Sequence, residues 1–183
     1  MDQAIALDFI AKEIAACRKC KAQKSGLPVP GEGNPNADIL FLGEAPGKTE
    51  AKTGRPFVGR SGQLLRRMIR ESGLQEEDVY ITSPVKYLPD RGTPTKDHIK
   101  HGKMHLAKQL EVIKPKYIAL MGATAVYAIF EKSMPIMKVH GDVIKEAGYT
   151  YIIMLHPAAV LRFPKYAPLM KADFTKLASL VSK

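Results

Sequence analysis

Four short apolar runs, each ending at glycine or in a polar turn, constrain this chain most. They are residues 37–43 (ADILFLG), 79–87 (VYITSPVKY, cut by Pro84), 116–122 (KYIALMG) and 150–157 (TYIIMLHP). None alternates polar with apolar, so each suits a strand buried on both faces, as in a parallel sheet. Helical spacing fills the intervals. Ile5, Phe9, Ile10 and Ile14 mark a helix over 3–16. Further helices are predicted over 61–73, with Ser61 as N-cap and Gly73 at the end, and over 96–115, stopped at Pro115. Residues 123–131 and 165–183 give two more. Strands alternating with helices predict an α/β fold: three layers, α/β/α, around a central, mostly parallel four-stranded sheet. The Gly-, Pro- and Asn-rich segment 25–37 and the polar segment 44–60 read as loops. A length of 183 residues fits one domain over 1–183.

Charge narrows the partners. There are 28 Lys+Arg against 18 Asp+Glu, a net +10. Such an excess attracts polyanions, nucleic acid first among them; it also fits a surface that is merely basic. No run of about 18 apolar residues exists, so no membrane span is expected. The N-terminal stretch lacks a signal-peptide pattern, so the expected location is cytoplasmic or nucleoid-associated, not secreted. The only cysteines, Cys17 and Cys20, stand three apart, a spacing that rarely forms a structural disulfide, and the lack of a signal pattern argues for a reducing compartment.

In doubly wound sheets ligands sit at the carboxyl ends of the strands. Three of the four runs end in unusual polar chemistry: GEAPG, TSP and HPAAVLR. Glu44 is an acid at a strand end, suited to orienting water or facing a developing cation. Phe57 lies in a polar loop, where a ring can stack on a base; a ring tucked into the core fits the pattern equally. The turn of Gly59, Arg60, Ser61 and Gly62 opens a helix whose free N–H groups suit a phosphate. His156 can donate a hydrogen bond to a ligand carbonyl, or simply bond to backbone. Val160 and Leu161 beside Arg162 form an apolar wedge of the kind that fills the gap left by a flipped base.

These segments together resemble one family. GEGNPNADILFLGEAPGKTEAKTGRPFVGRSGQLL, with HPAAVLR downstream, is similar to the two signature motifs of family-4 uracil-DNA glycosylases. CRKC resembles that family's first cysteine pair, VYITSPVKY its second strand, and QLEVIKPKYIALMGATA its third strand and helix. The likeness runs from about Cys17 to the last helix. It implies an enzyme, generally monomeric, that flips a damaged nucleotide out of DNA and hydrolyses its glycosidic bond. Gly43 and Glu44 then fall at the water-orienting, cation-facing position. Ala45, Pro46 and Gly47 line the sugar and phosphate, Phe57 stacks on the base, and Ser83 faces the base edge. His156 contacts uracil O2 and steadies the departing anion. Ser61, Lys86, Leu161 and Arg162 fall on the DNA-binding surface.

The chain departs from that family at two places. Four cysteines usually hold a [4Fe–4S] cluster there. Cys17 and Cys20 are present, but Tyr87 and Gly102 occupy the other two positions. His101 is adjacent, yet one residue along a helix turns a side chain by about 100°. Zinc at Cys17, Cys20 and nearby histidines lacks a second pair at ligand spacing. The expectation is therefore no cofactor, no cluster and no metal ligands. Second, Ser83 stands where Asn is common, and Ala51 where an acid is common. Serine has a single hydroxyl, and an unpaired polar edge on the base costs about 1–3 kcal/mol, so uracil selectivity is expected to weaken. Besides a uracil glycosylase, two other readings stay open: a DNA-binding or docking module with little catalysis, and a glycosylase for hypoxanthine or xanthine.

Overall fold

The structure is a computed structural model that describes residues 2–182. Its centre is a six-stranded sheet. The strands are β1 (Glu32–Gly33), β2 (Ile39–Leu42), β3 (Val79–Thr82), β4 (Tyr117–Met121), β5 (Val143–Glu146) and β6 (Tyr149–Met154), in the order β1-β3-β2-β4-β6-β5. The four runs expected from the sequence are β2, β3, β4 and β6, and they pair in parallel. Leu42 lies opposite Thr82 on one side and Leu120 on the other, and Leu120 opposite Ile153. Two short antiparallel edge strands were not foreseen. β1 caps β3, inside a segment read as loop, and β5 caps β6.

The continuous apolar runs are explained by two covered faces. Successive side chains of a strand point to opposite sides. Leu40, Leu42, Ile118, Leu120 and Ile153 face one layer, against Ile14 of α1 (Gln3–Ala16) and Leu106 and Leu110 of α4 (Lys96–Ile113). Ile39, Phe41, Ala119, Met121, Ile152 and Met154 face the other. There they meet Leu65 and Ile69 of α3 (Arg60–Glu71) and Phe174 of α7 (Ala167–Val181). Phe41 stacks on Phe174, with ring centroids 5.8 Å apart.

Three local details differ from the sequence reading. Residues 44–60 contain a helix, α2 (Lys48–Thr53), ended by Gly54 in the left-handed region. The helix α3 starts at Arg60 with Gly59 as N-cap, so Ser61 sits inside its first turn and does not cap it. The wedge segment after β6 is a helix, α6 (Pro157–Arg162), because His156 caps it and Pro157 suits its first position. A further helix, α5 (Ala123–Phe130), follows β4. No helix among the described residues is long and apolar enough to cross a membrane.

Candidate active site

The carboxyl ends of the four parallel strands meet in one place. The Gly43 N–H donates to the Thr82 carbonyl at 2.9 Å, which clamps the end of β2 to that of β3. Glycine at 43 makes room for the Phe57 ring: a Cβ there would lie 2.5 Å from it. That ring is thereby held over the strand end, half-buried rather than lost in the core.

The Phe57 backbone is in the left-handed region, φ +50°, a conformation that bulky residues adopt only when their surroundings impose it. Two buried or half-buried charges impose it. The Glu50 carboxylate, 7% exposed, accepts the N–H groups of Val58 (2.9 Å) and Gly59 (2.7 Å). The Arg66 guanidinium donates to the carbonyls of Phe57 (3.1 Å) and Pro56 (3.2 Å). Arg66 is itself fixed by ion pairs to Glu32 and Glu76.

His156 enters from the end of β6, its ring centroid 5.9 Å from that of Phe57. Its Nδ1 accepts the Ala158 N–H at 3.1 Å, which leaves the ring proton on Nε2. Burial pushes its pKa down to about 4, so near neutral pH it is an uncharged imidazole with one N–H to offer. The strand end before it is pinned by Asp173, whose carboxylate accepts the Leu155 N–H at 3.0 Å and meets His140 Nδ1 at 2.8 Å. Across the sheet, Glu44 accepts the Thr124 hydroxyl at 2.8 Å. Thr124 lies in the first turn of α5, two residues after Gly122, and Gly122 packs against the His156 Cβ position. Glu44, Phe57 and His156 are thus linked through direct neighbours at one edge.

Comparison with known proteins fits this arrangement. The model of the uracil DNA glycosylase superfamily matches residues 30–178. The chain belongs to the uracil DNA glycosylase superfamily. It is 39% identical to the type-4 uracil-DNA glycosylase of Archaeoglobus fulgidus over 97% of this chain and 94% of that one. It is 40% identical to that of Saccharolobus solfataricus, over 96% and 87%. The crystal structure of wild-type Pedobacter heparinus SMUG2 shares the fold, with a TM-score of 0.50 over 80% of this chain and 75% of that one, at 16% identity.

Within this superfamily member, the other sequence-derived residues divide. Ala45 packs against Val85, Ile99 and Ala128; Pro46 is buried and Gly47 exposed. Ser83 is buried, and its hydroxyl donates to the Val85 carbonyl at 2.8 Å, so its proton is spent within its own turn. Leu161 and Arg162 are exposed on α6, whereas Val160 is buried. Lys86 overturns its expected place on the DNA surface. It is 2% exposed, and its ammonium donates to Thr82 Oγ1 (2.8 Å), Gln109 Oε1 (2.6 Å) and the Pro30 carbonyl (3.1 Å). Burial pushes its pKa down to about 7.

The expectation of no metal ligands is also corrected. Cys17, Cys20, His101 and His105 place one ligand atom each within 4.8 Å of one another. The two histidines lie beside, not at, the positions held by Tyr87 and Gly102. At Gly102 a Cβ would lie 1.9 Å from the Pro84 carbonyl oxygen, so the helix backbone abuts that turn and no side chain fits. His101 and His105, one helical turn apart, share a face of α4, and an imidazole reaches farther than a thiol. Tyr87 is buried beside the group, its hydroxyl 3.4 Å from the Ile14 and Ala15 carbonyls.

Sequence reasoning also missed Thr124, Glu50, Arg66 and Asp173. Thr124 had a usable signal, since it follows a strand-ending glycine as Glu44 does. The other three act on backbone groups far along the chain, and nothing local announces them.

Proposed function

We propose that this chain is a uracil-DNA glycosylase of base-excision repair, working as a single domain over residues 1–183 and as a monomer, in the cytoplasm or nucleoid. It removes uracil from DNA by hydrolysis, leaving an abasic site. The observation that carries the reading is a neutral His156 facing the Phe57 ring at 5.9 Å, with Glu44 at a neighbouring strand end.

The net +10 charge draws DNA to the surface. The target nucleotide turns out of the helix, and the exposed Leu161 and Arg162 of α6 enter the gap. Ser61, in the first turn of α3, faces a backbone phosphate. The uracil ring stacks on Phe57, while Gly43, Ala45, Pro46 and Gly47 border the sugar and phosphate. The bond from C1′ to N1 then breaks, and its electron pair leaves with the base. His156 Nε2–H donates to uracil O2, where negative charge accumulates; a neutral donor stabilises the anion without first losing a proton. The sugar becomes cationic. The Glu44 carboxylate stabilises that cation and orients the water whose oxygen bonds C1′; one water proton ends on uracil.

Ser83 supports a second, broader reading. With its proton given to Val85, it offers the base edge only lone pairs, which accept the ring N–H of uracil and of hypoxanthine or xanthine alike. The test is a labelled oligonucleotide with one U, hypoxanthine or xanthine, treated with the chain and then with alkali. Strand breaks at U, lost in His156→Gln and Glu44→Gln, are expected. Salt-sensitive DNA binding without any break would instead identify a docking module that has lost catalysis.

A further inference from the structure

Both cysteines and two of the five histidines converge on the side of the sheet covered by α1 and α4, outside the catalytic edge. Cys17 closes α1 and caps the single turn Arg18–Lys21, its Sγ accepting the Cys20 N–H at 3.3 Å. Cys17 Sγ and His101 Nε2 are 3.1 Å apart. The His101 and His105 rings are nearly perpendicular, centroids 5.8 Å apart. His105 is 7% exposed, and neither of its ring nitrogens has a hydrogen-bond partner among the described residues. A buried imidazole normally satisfies both its donor and its acceptor. An ion at this point would take the acceptor lone pair.

The spacing selects the kind of ion. Around one tetrahedral metal, with M–S of about 2.3 Å and M–N of about 2.0–2.1 Å, neighbouring donors stand about 3.3–3.8 Å apart. Four donors within 4.8 Å of one another need move inward by only about 1 Å to close on a single ion. A [4Fe–4S] cluster takes four thiolates on separate irons, and a two-iron centre with two Cys and two His divides sulfur and nitrogen between its irons. A sulfur 3.1 Å from a nitrogen stands too close for the two to serve separate irons, and it suits a pair that shares a proton without metal and one ion with it.

We propose that Cys17, Cys20, His101 and His105 bind one four-coordinate, borderline-soft divalent ion of the zinc class. With all four ligands from protein the site is closed, and its role is structural. It ties the turn after α1 to α4. Beside it, at Gly102, α4 abuts the turn that carries Ser83 and Pro84.

The full chain, produced with zinc as the supplied metal, is expected to be colourless and to carry about one zinc by elemental mass spectrometry. Cobalt(II) in its place gives the d–d absorption of a tetrahedral site with thiolate charge transfer. Cys20→Ser and His105→Ala abolish that spectrum. His101→Ala, at a more accessible ligand, keeps the fold and weakens metal affinity at least tenfold by chelator competition. Chelation lowers the melting temperature of the wild type. A wild-type chain that takes up neither zinc nor cobalt overturns the proposal. So does a brown chain with about four irons and sulfide, or a His101→Ala chain with wild-type affinity. If the buried-ligand variants do not fold, the wild-type cobalt spectrum and His101→Ala still decide.

Discussion

Removing the Glu50 carboxylate tests how the Phe57 loop is held. In Glu50→Ala the N–H groups of Val58 and Gly59 lose acceptors at 2.9 and 2.7 Å. A hydrogen bond to a charged group contributes about 1.5–3 kcal/mol, so the pair sets an upper bound of about 6 kcal/mol. Gly59 is only half-buried, so water replaces part of that bonding. A net loss of about 2–3 kcal/mol is expected. For a domain of this size each kcal/mol lowers the melting temperature by about 2–4 °C, giving a fall of about 5–10 °C. The catalytic effect follows from the same loss. Phe57 sits at φ +50° with Arg66 as its remaining anchor. If about 2 kcal/mol is withdrawn from the loop, its competent population drops about 30-fold, since 1.4 kcal/mol is a factor of ten. Single-turnover excision on a U-containing oligonucleotide is therefore slowed at least tenfold. Glu50→Gln keeps an oxygen acceptor and falls between the two. Melting followed by circular dichroism, together with single-turnover kinetics, measures both effects. A Glu50→Ala chain with wild-type melting and wild-type excision would refute the account of the loop.

Four further outcomes follow from the geometry. His156 titrates in the folded chain near its pKa of about 4, against 6.5 for an ordinary histidine, so its ring resonances in an NMR titration stay those of neutral imidazole down to about pH 5. Between pH 6.5 and about 4 the unfolded chain binds a proton at this site that the folded chain does not, so stability falls as pH drops through that window, and His156→Gln flattens the slope. In Gly43→Ala the new methyl meets the Phe57 ring at 2.5 Å; overpacking of this kind costs about 1–3 kcal/mol, and the displaced ring raises KM for U-containing DNA more than it alters DNA binding. Lys86→Met leaves the buried acceptors Thr82, Gln109 and Pro30 without their shared donor and lowers stability by about 1–3 kcal/mol, with no change in the salt dependence of DNA binding, whereas Arg162→Ala keeps stability and reduces the salt slope by about one.

The architecture was legible because burial on both faces leaves an unbroken apolar run, and β2, β3, β4 and β6 each carry one. The edges β1 and β5 were not. A two-residue strand has no period, and β5, with only Val143 and Ile144 apolar, carries too little pattern to separate it from a turn. The place of Glu44 and His156 just beyond strand ends was legible because the chain itself marks those ends.

What the sequence alone determined is the set of chemical groups and the order of strands that delivers them to one edge. Which groups face outward was decided only by the fold. Lys86 looked like a DNA contact and is spent inside, because four residues past β3 its ammonium meets Thr82 and Gln109 of α4. His101 and His105 looked idle and stand with both cysteines, because Gly102 lets α4 approach the Pro84 turn and carries them within reach. Glu50 and Arg66 hold Phe57 from 7 and 9 residues away through backbone atoms, and a contact to backbone leaves no pattern in side-chain identity.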